Sequence, residues 1–456
     1  MVVSRSCLAF LVAVSVALGP VSKAAAQSSP SPDARLYIEA PVLDMPWLFE
    51  GGPVPSMQQS LWTATDLYEL MHFGIGRLDA APDAPLWRRV AAKTLILGAD
   101  VATLSLPGFA GWQHEEWHRA VMAQHGIGSH NGIYDLQLFA GPVAVSRVDD
   151  ADLARLKRDH PADMVRLTAA GLEANYELAT QLHRVQFFQG TRNWHTGAIA
   201  LLYYANISYI AGCASTGFDA EIDRINEEEG ADVGKRDFAG PDCTTWVYDL
   251  FRHDEPYEAR GVHPSGAGVD RYRKFADLAP EEQRYLKRQR NLSLLNVLDP
   301  ALLGIVRFPG GQLGDGRGWD FSANVRHELT PFGYDVSLQG FWRLAPVGVF
   351  ARFHGYANHD RFFPGLDVEL VRLPVGIAGV PASLSARGAV WLQPSEQRFF
   401  GKDAQVGGLA GARLALDAWL VAPYLELEAK SAGWVPGNPY LDRDVTIRLG
   451  AALSLR

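Results

Sequence analysis

The sequence predicts an α + β protein with a helical metal-binding domain followed by a C-terminal antiparallel β-barrel of about eight strands. Three observations lead to this fold class: helical periodicity before about Gly310, alternation of apolar and polar residues after it, and an H-E-x-x-H pattern at His114–His118. The predicted organisation is a signal peptide over 1–26, a linker or N-terminal extension over 27–60, the helical domain over 61–309 and the barrel over 310–456.

The first 26 residues have the three features of a secretory signal. Arg5 supplies the positive charge, Leu8 to Leu18 form the apolar core, and Ala24 to Ala26 provide a small-residue cleavage site. We therefore expect the chain to be exported, with Gln27 as the first residue of the mature protein. The Ser- and Pro-rich segment over 27–35 has the composition of a linker.

The charge of the chain argues against one class of partner. The formal net charge is −9, and removal of a signal containing Arg5 and Lys23 makes the mature chain more acidic. Because nucleic-acid binding requires a basic face, we expect no nucleic-acid partner.

The cysteine content agrees with export. Of three cysteines, Cys7 lies in the signal, and Cys213 and Cys243 remain as an even pair. In an exported chain this pair predicts a disulfide, and two buried free thiols are the alternative.

Helical patterning dominates residues 61–309, where apolar residues recur at helical spacing. One long helix is predicted from Pro161 to Gly190, and another begins at Pro280, a favoured first helical residue. The segment Gly197 to Ser215 is uncharged and long enough to span a bilayer, but it contains Asn206 and several tyrosines. We predict a buried core helix here, with a membrane-embedded helix as the alternative.

After about Gly310 the pattern changes to a period of two, which is typical of β-strands. The last strand shows it well, because Val445, Ile447 and Leu449 share one face while Thr446 and Arg448 take the other. The predicted strands are Asp320–Glu328, Asp335–Arg343, Val349–Tyr356, Asp367–Val371, Leu384–Val390, Ala412–Asp417, Tyr424–Lys430 and Val445–Leu455.

The two faces of these strands differ in polarity, since one is apolar and the other carries charges of both signs. In this respect residues 310–456 resemble the small outer-membrane β-barrels of Gram-negative bacteria, whose lumens are packed with paired charges. The resemblance implies an anchor in contact with outer-membrane lipid. The chain ends Leu455-Arg456, where such barrels usually end in an aromatic residue. A soluble β-sandwich would also alternate and is the alternative.

The H-E-x-x-H pattern predicts a metal site. On a helix His114 and His118 share one face, so their imidazoles can bind one ion, while Glu115 lies beside them as a general base for water. Pro107 and Gly108 precede the motif and Gly126 follows it, which fits a helix between them. The alternative is an ordinary amphipathic helix whose two histidines only pack.

A catalytic zinc needs a third protein ligand. In the helix after Pro161, Glu173 and Glu177 lie four residues apart. With the motif, this arrangement resembles the gluzincin metallopeptidases, a group of zincins. The resemblance implies a zincin-like helical domain with Glu173 as third ligand and Glu177 as the partner that orients a ligand histidine. The gluzincins usually have Asp at the second of these positions.

The sequence offers other candidates for the third metal ligand. The segment Asn296-Val297-Leu298-Asp299-Pro300 is similar to the segment with which site-2-type intramembrane proteases supply an Asp ligand, so Asp299 is an alternative. His125 and His130 are further candidates.

These expectations favour an outer-membrane-anchored hydrolase that faces the periplasm, binds one zinc ion per chain and acts on a peptide or protein. Zinc bound by His114, His118 and Glu173 would activate water, and Glu115 would transfer the proton. A zinc enzyme that acts on lipid or peptidoglycan is a second possibility. The rival is a non-enzymatic outer-membrane barrel, structural or transporting, with a helical periplasmic plug.

Overall fold

The computed structural model describes residues 36–79, 84–135, 144–189, 193–312, 318–344 and 346–455. The predicted signal peptide and the Ser- and Pro-rich linker lie outside these residues. The described chain has a helical part and one large antiparallel sheet, as the sequence predicts in outline.

In the described residues, nine α-helices have ten or more residues. They are α1 Met57–Gly76, α2 Leu86–Thr103, α3 Ala110–Ala123, α4 Asp150–Asp159, α5 Pro161–Arg184, α6 Thr196–Cys213, α7 Asp219–Glu229, α8 Asp242–Phe251 and α9 Pro280–Ser293. The predicted helices that begin at Pro161 and Pro280 are confirmed, and a π-helical turn, Val185–Gln189, extends α5.

Helix α5 is central to the core of the helical part, since most of its side chains are buried. Helix α6 packs against it, and the buried Asn206 side chain donates a hydrogen bond to the Leu172 carbonyl at 2.9 Å. The segment predicted as a core helix is therefore packed inside the protein. Across the described residues, none of the helices combines the length and the apolar character that crossing a membrane requires.

The sheet has ten strands, and every neighbouring pair is antiparallel. They are β1 Leu36–Met45, β2 Phe308–Gln312, β3 Gly318–Thr330, β4 Gly333–Leu344, β5 Val347–Ala357, β6 Phe362–Ile377, β7 Val380–Pro394, β8 Ala404–Leu416, β9 Val421–Lys430 and β10 Asp444–Leu455. The spatial order is β1-β10-β9-β8-β7-β6-β5-β4-β3-β2. The eight predicted strands are β3 to β10.

Two strands of this sheet were not predicted. Strand β1 falls in the segment interpreted as a linker or extension, and it pairs with the last strand of the chain, with Leu36 opposite Leu455. Its alternation is interrupted by an irregularity between Pro41 and Leu43. Strand β2 contains a proline and two glycines, which are poor strand formers.

The prediction of a closed barrel needs correction, because in the described residues the edge strands β1 and β2 do not pair with each other. Helix α1 lies along β1 instead. The Asp66 carboxylate accepts a hydrogen bond from the Glu39 amide at 3.0 Å, and the Gln59 side chain donates one to the Pro41 carbonyl at 3.3 Å. These side chains bind backbone groups on the free edge of β1. In a closed barrel, the same groups would pair with another strand.

The two faces of the sheet differ as the alternation predicts. The inner face carries ion pairs around a cavity of about 210 Å³. Arg387 lies 2.6 Å from Asp367 and 3.3 Å from Glu428, and Arg184 lies 2.7 Å from Glu369. The outer face exposes apolar side chains on successive strands, namely Leu338, Phe353, Leu370, Val390, Val406, Leu425, Leu427, Val445 and Leu449.

Candidate metal centre

Helix α3 places the two histidines of the motif side by side. The ring centroids of His114 and His118 are 5.0 Å apart, and both Nε2 atoms point toward Gly171 on α5. A Cβ atom at Gly171 would lie 2.3 Å from each Nε2. Because glycine has no side chain, both rings can pack directly against the backbone of α5 at this position.

The third member of the group is Asp242, the first residue of α8. Its Oδ2 lies 3.2 Å from His114 Nε2, and its Oδ1 lies 3.5 Å from His118 Nε2. In a tetrahedral zinc site the ligand atoms are about 3.3 Å apart. Two imidazoles and one carboxylate therefore fit zinc in both chemistry and spacing.

The backbone around Asp242 is fixed from two sides. The Asp242 amide donates a hydrogen bond to the Tyr209 hydroxyl at 3.0 Å. The next residue, Cys243, forms the predicted disulfide with Cys213, the last residue of α6, with the Cα atoms 6.0 Å apart. The disulfide prediction is confirmed. It joins the first turn of α8 to α6 directly beside the candidate ligand.

His118 is oriented by a backbone carbonyl. Its Nδ1 donates a hydrogen bond to the Leu167 carbonyl on α5 at 2.6 Å. With the proton on Nδ1, Nε2 of the neutral ring has a free lone pair on the side of Asp242. Metal-binding histidines are commonly held in this way through the second ring nitrogen.

The ionisable side chains around the site change one another's pKa values. Burial, together with Asp237 and Asp242, raises the pKa of Glu115 well above its usual value. Burial opposes ionisation of Asp242, but the two histidines outweigh it and lower the pKa of this carboxyl group. Burial would lower the pKa of His118, but Asp242 raises it to about 9. Without metal, His118 and Asp242 therefore form a buried ion pair.

A further acid, the half-buried Asp237, lies close to this group. Burial of its carboxyl group, together with the negative charge of Asp242, raises its pKa to about 7. With Glu115 and Asp242, it gives the site three carboxyl groups beside two imidazoles. Such a site favours a cation, because a cation can offset the repulsion between carboxylates.

Glu173, the predicted third ligand, has other partners. Both of its oxygens accept hydrogen bonds from Arg166, at 2.9 and 3.2 Å. The Trp434 indole nitrogen and the Gly437 amide donate to them as well, at 3.2 and 2.8 Å. The structure thus brings Asp242, and not Glu173, to the two histidines.

The other predicted site residues also lie in separate groups. Glu177 pairs with Arg352 at 2.8 Å and lines the cavity inside the sheet. Asp299 binds Arg326 at 2.9 Å and the Tyr203 hydroxyl at 2.8 Å.

Asp242 was missed because 124 to 128 positions separate it from the motif. One signal in the sequence could have drawn attention to it, since it immediately precedes a cysteine of the predicted disulfide. In comparisons with known proteins, no family model, curated protein or solved structure matches the chain. The assignment of function therefore rests on the geometry of His114, His118 and Asp242.

Proposed function

We propose that the protein is a zinc-dependent hydrolase in which His114, His118 and Asp242 hold the metal and Glu115 is the general base. The observation that carries this proposal is the grouping of His114, His118 and Asp242, whose ligand atoms lie within 4.8 Å of one another. Three protein ligands leave a fourth position free, as catalytic zinc sites require.

The bound zinc would supply Lewis acidity, which polarises a substrate carbonyl and lowers the pKa of water. Glu115 follows His114 on α3 and is nine-tenths buried near His118 and Asp242. It accepts the proton of the attacking water and returns it to the leaving group. The Leu167 carbonyl holds the His118 imidazole in place through Nδ1 during this transfer.

The substrate class that we favour is a peptide. When a peptide bond is cleaved, the leaving amine must be protonated, and in this proposal Glu115 delivers that proton. Lipid or peptidoglycan bonds remain the competing substrates. Incubation with a peptide library, acyl esters and purified peptidoglycan separates the three classes, because each yields different products by mass spectrometry.

Zinc content tests the metal centre itself. We expect Asp242→Asn to bind one zinc ion fewer than the wild type, while Glu173→Gln binds as many, since Glu173 binds Arg166 and the 431–443 segment instead. Glu173→Gln is therefore the matched control, and Asp237→Asn, which changes a neighbouring carboxyl group outside the ligand set, should keep the zinc ion with weaker affinity. Zinc content equal to that of the wild type in Asp242→Asn, or in the His114→Ala/His118→Ala double variant, would refute the proposed centre. A protein that binds no zinc would favour the non-enzymatic alternative.

We also propose that the outer face of the sheet contacts outer-membrane lipid and that the metal centre faces the periplasm. The support is the separation of polarity: ion pairs lie inside the sheet, and exposed apolar side chains lie outside it. Leu414, Leu425 and Leu449 stand side by side on three neighbouring strands. Fractionation of cells tests this, and recovery of the protein without detergent would contradict it.

A further inference from the structure

A second group of potential metal ligands lies near the C-terminal end of α3. It consists of His125, which follows the helix, His160, which precedes α5, and Asp163 in the first turn of α5. One ligand atom from each residue lies within 4.8 Å of the others. None of the three belongs to the candidate centre at His114.

The spacing in this group suits a metal ion. His125 Nε2 lies 3.3 Å from Asp163 Oδ2, which is the separation expected between two ligands of tetrahedral zinc, about 3.3 Å. His160 Nδ1 lies 3.9 Å from the same oxygen. The His160 side chain is 48% exposed. Its ring can therefore turn toward Asp163 and shorten this distance to the expected separation without disturbing the core.

Gln124 supplies an independent observation. Its Nε2 lies 2.9 Å from His125 Nε2 and 3.3 Å from Asp163 Oδ1, so the amide is directed into the group. Its Oε1 is buried and has no hydrogen-bond partner in the described part of the chain. Buried amide oxygens normally have a partner. A half-turn of the amide would direct this oxygen toward the two histidines and Asp163.

The two imidazoles share one carboxylate, Asp163, and their ring centroids are 4.5 Å apart. Two neutral imidazoles and one carboxylate are a ligand set that zinc commonly has in proteins.

We infer that His125, His160 and Asp163 form a second zinc site, with the Gln124 amide oxygen as a fourth ligand. Zinc at this site joins the end of α3 to the start of α5. These two helices also form the candidate centre, because α3 carries His114 and His118 and α5 carries Gly171. The second site is therefore a clamp that holds the two helices at a fixed separation. Since its ligands are partly exposed, it exchanges zinc more readily than the first site.

Metal content of the full-length protein tests this inference. The protein is stripped with a chelator, reloaded with zinc alone, desalted and measured by elemental mass spectrometry. We expect two zinc ions in the wild type and one in His160→Ala. His130→Ala is the matched control and should retain two, because His130 pairs with Asp135 at 3.0 Å but belongs to neither potential metal-ligand group found in the described residues.

The Asp242→Asn variant separates this inference from the proposed function, which it does not require. If both sites exist, Asp242→Asn binds one zinc and the Asp242→Asn/His160→Ala double variant binds none. If only the second site exists, the wild type binds one and His160→Ala binds none. Equal zinc content in the wild type and His160→Ala overturns the inference. A second readout is the melting temperature, which zinc should raise less in His160→Ala than in His130→Ala.

Discussion

Gly171→Ala is the sharpest test of the candidate metal centre, because it removes no ligand. The new methyl group would lie 2.3 Å from the Nε2 atoms of His114 and His118. Non-bonded atoms of this kind prefer separations of about 3.5 Å, so the rings must retreat by about 1 Å. Zinc sites tolerate changes of only about 0.2 Å in ligand distance.

The expected loss of zinc affinity is at least about 100-fold, which corresponds to about 2.7 kcal/mol. The effect on folding should be smaller, because two contributions oppose each other. Alanine in place of glycine favours the helix by up to about 1 kcal/mol. Crowding the buried rings costs about 1–3 kcal/mol. Zinc affinity should therefore fall by more than the stability of the metal-free protein.

Competition with a chromogenic chelator measures the affinity, and denaturant unfolding of the metal-free protein measures the stability. Gly74→Ala on α1 is the matched control, since a Cβ there meets no atom within 4 Å. Zinc binding by Gly171→Ala within a few-fold of wild type would refute the convergence of the two histidines on this point. If Gly171→Ala fails to fold, the zinc content of Asp242→Asn tests the same metal centre.

Three further predictions concern the base, the disulfide and the sheet. Glu115→Gln should keep zinc but lose hydrolysis by about 10²–10⁴-fold, because an amide cannot accept the proton; near-normal turnover would exclude Glu115 as the base. In the Cys213→Ala/Cys243→Ala variant the free energy of unfolding should fall by about 3–4 kcal/mol, since the disulfide closes a 30-residue loop. The variant should also bind zinc more weakly, because this loop ends beside Asp242. Leu449→Arg should cost about 2–4 kcal/mol in lipid if the residue lies near the bilayer midplane, measured by unfolding from vesicles; an unchanged unfolding curve would contradict lipid contact at this face.

Strand prediction succeeded where the polarity of the two sheet faces differs along the whole strand. In β10, Val445 and Leu449 are exposed while Thr446 and Arg448 are buried, as the alternation requires. Strand β1 escaped detection because Pro41 and the adjacent irregularity break its period. The sequence also could not show whether the sheet closes into a barrel, because the alternation of residues in a strand does not indicate what lies against its free edge. Here that neighbour is helix α1.

One part of the candidate site follows from residues that are close in sequence, and another part depends on how distant helices pack. The spacing of His114 and His118 is local, and a helix places them together wherever it packs. The choice between Glu173 and Asp242 is not local. Glu173 lies seven residues after Arg166 on the same helix, about two turns away, so the two side chains can meet without any other element. Asp242 reaches the histidines only through the packing of α8.

The partners of the two buried carboxylates explain why Asp242 suits a metal ligand and Glu173 does not. Arg166 is fully buried beside Glu173 and is permanently charged, so this pair is neutral without any cation. The partners of Asp242 are two histidines, which can release a proton and then present a lone pair. Only this second arrangement can release a proton and then offer two imidazole lone pairs and a carboxylate to a metal ion. The carboxylate that lacks an arginine is therefore the one that can hold zinc.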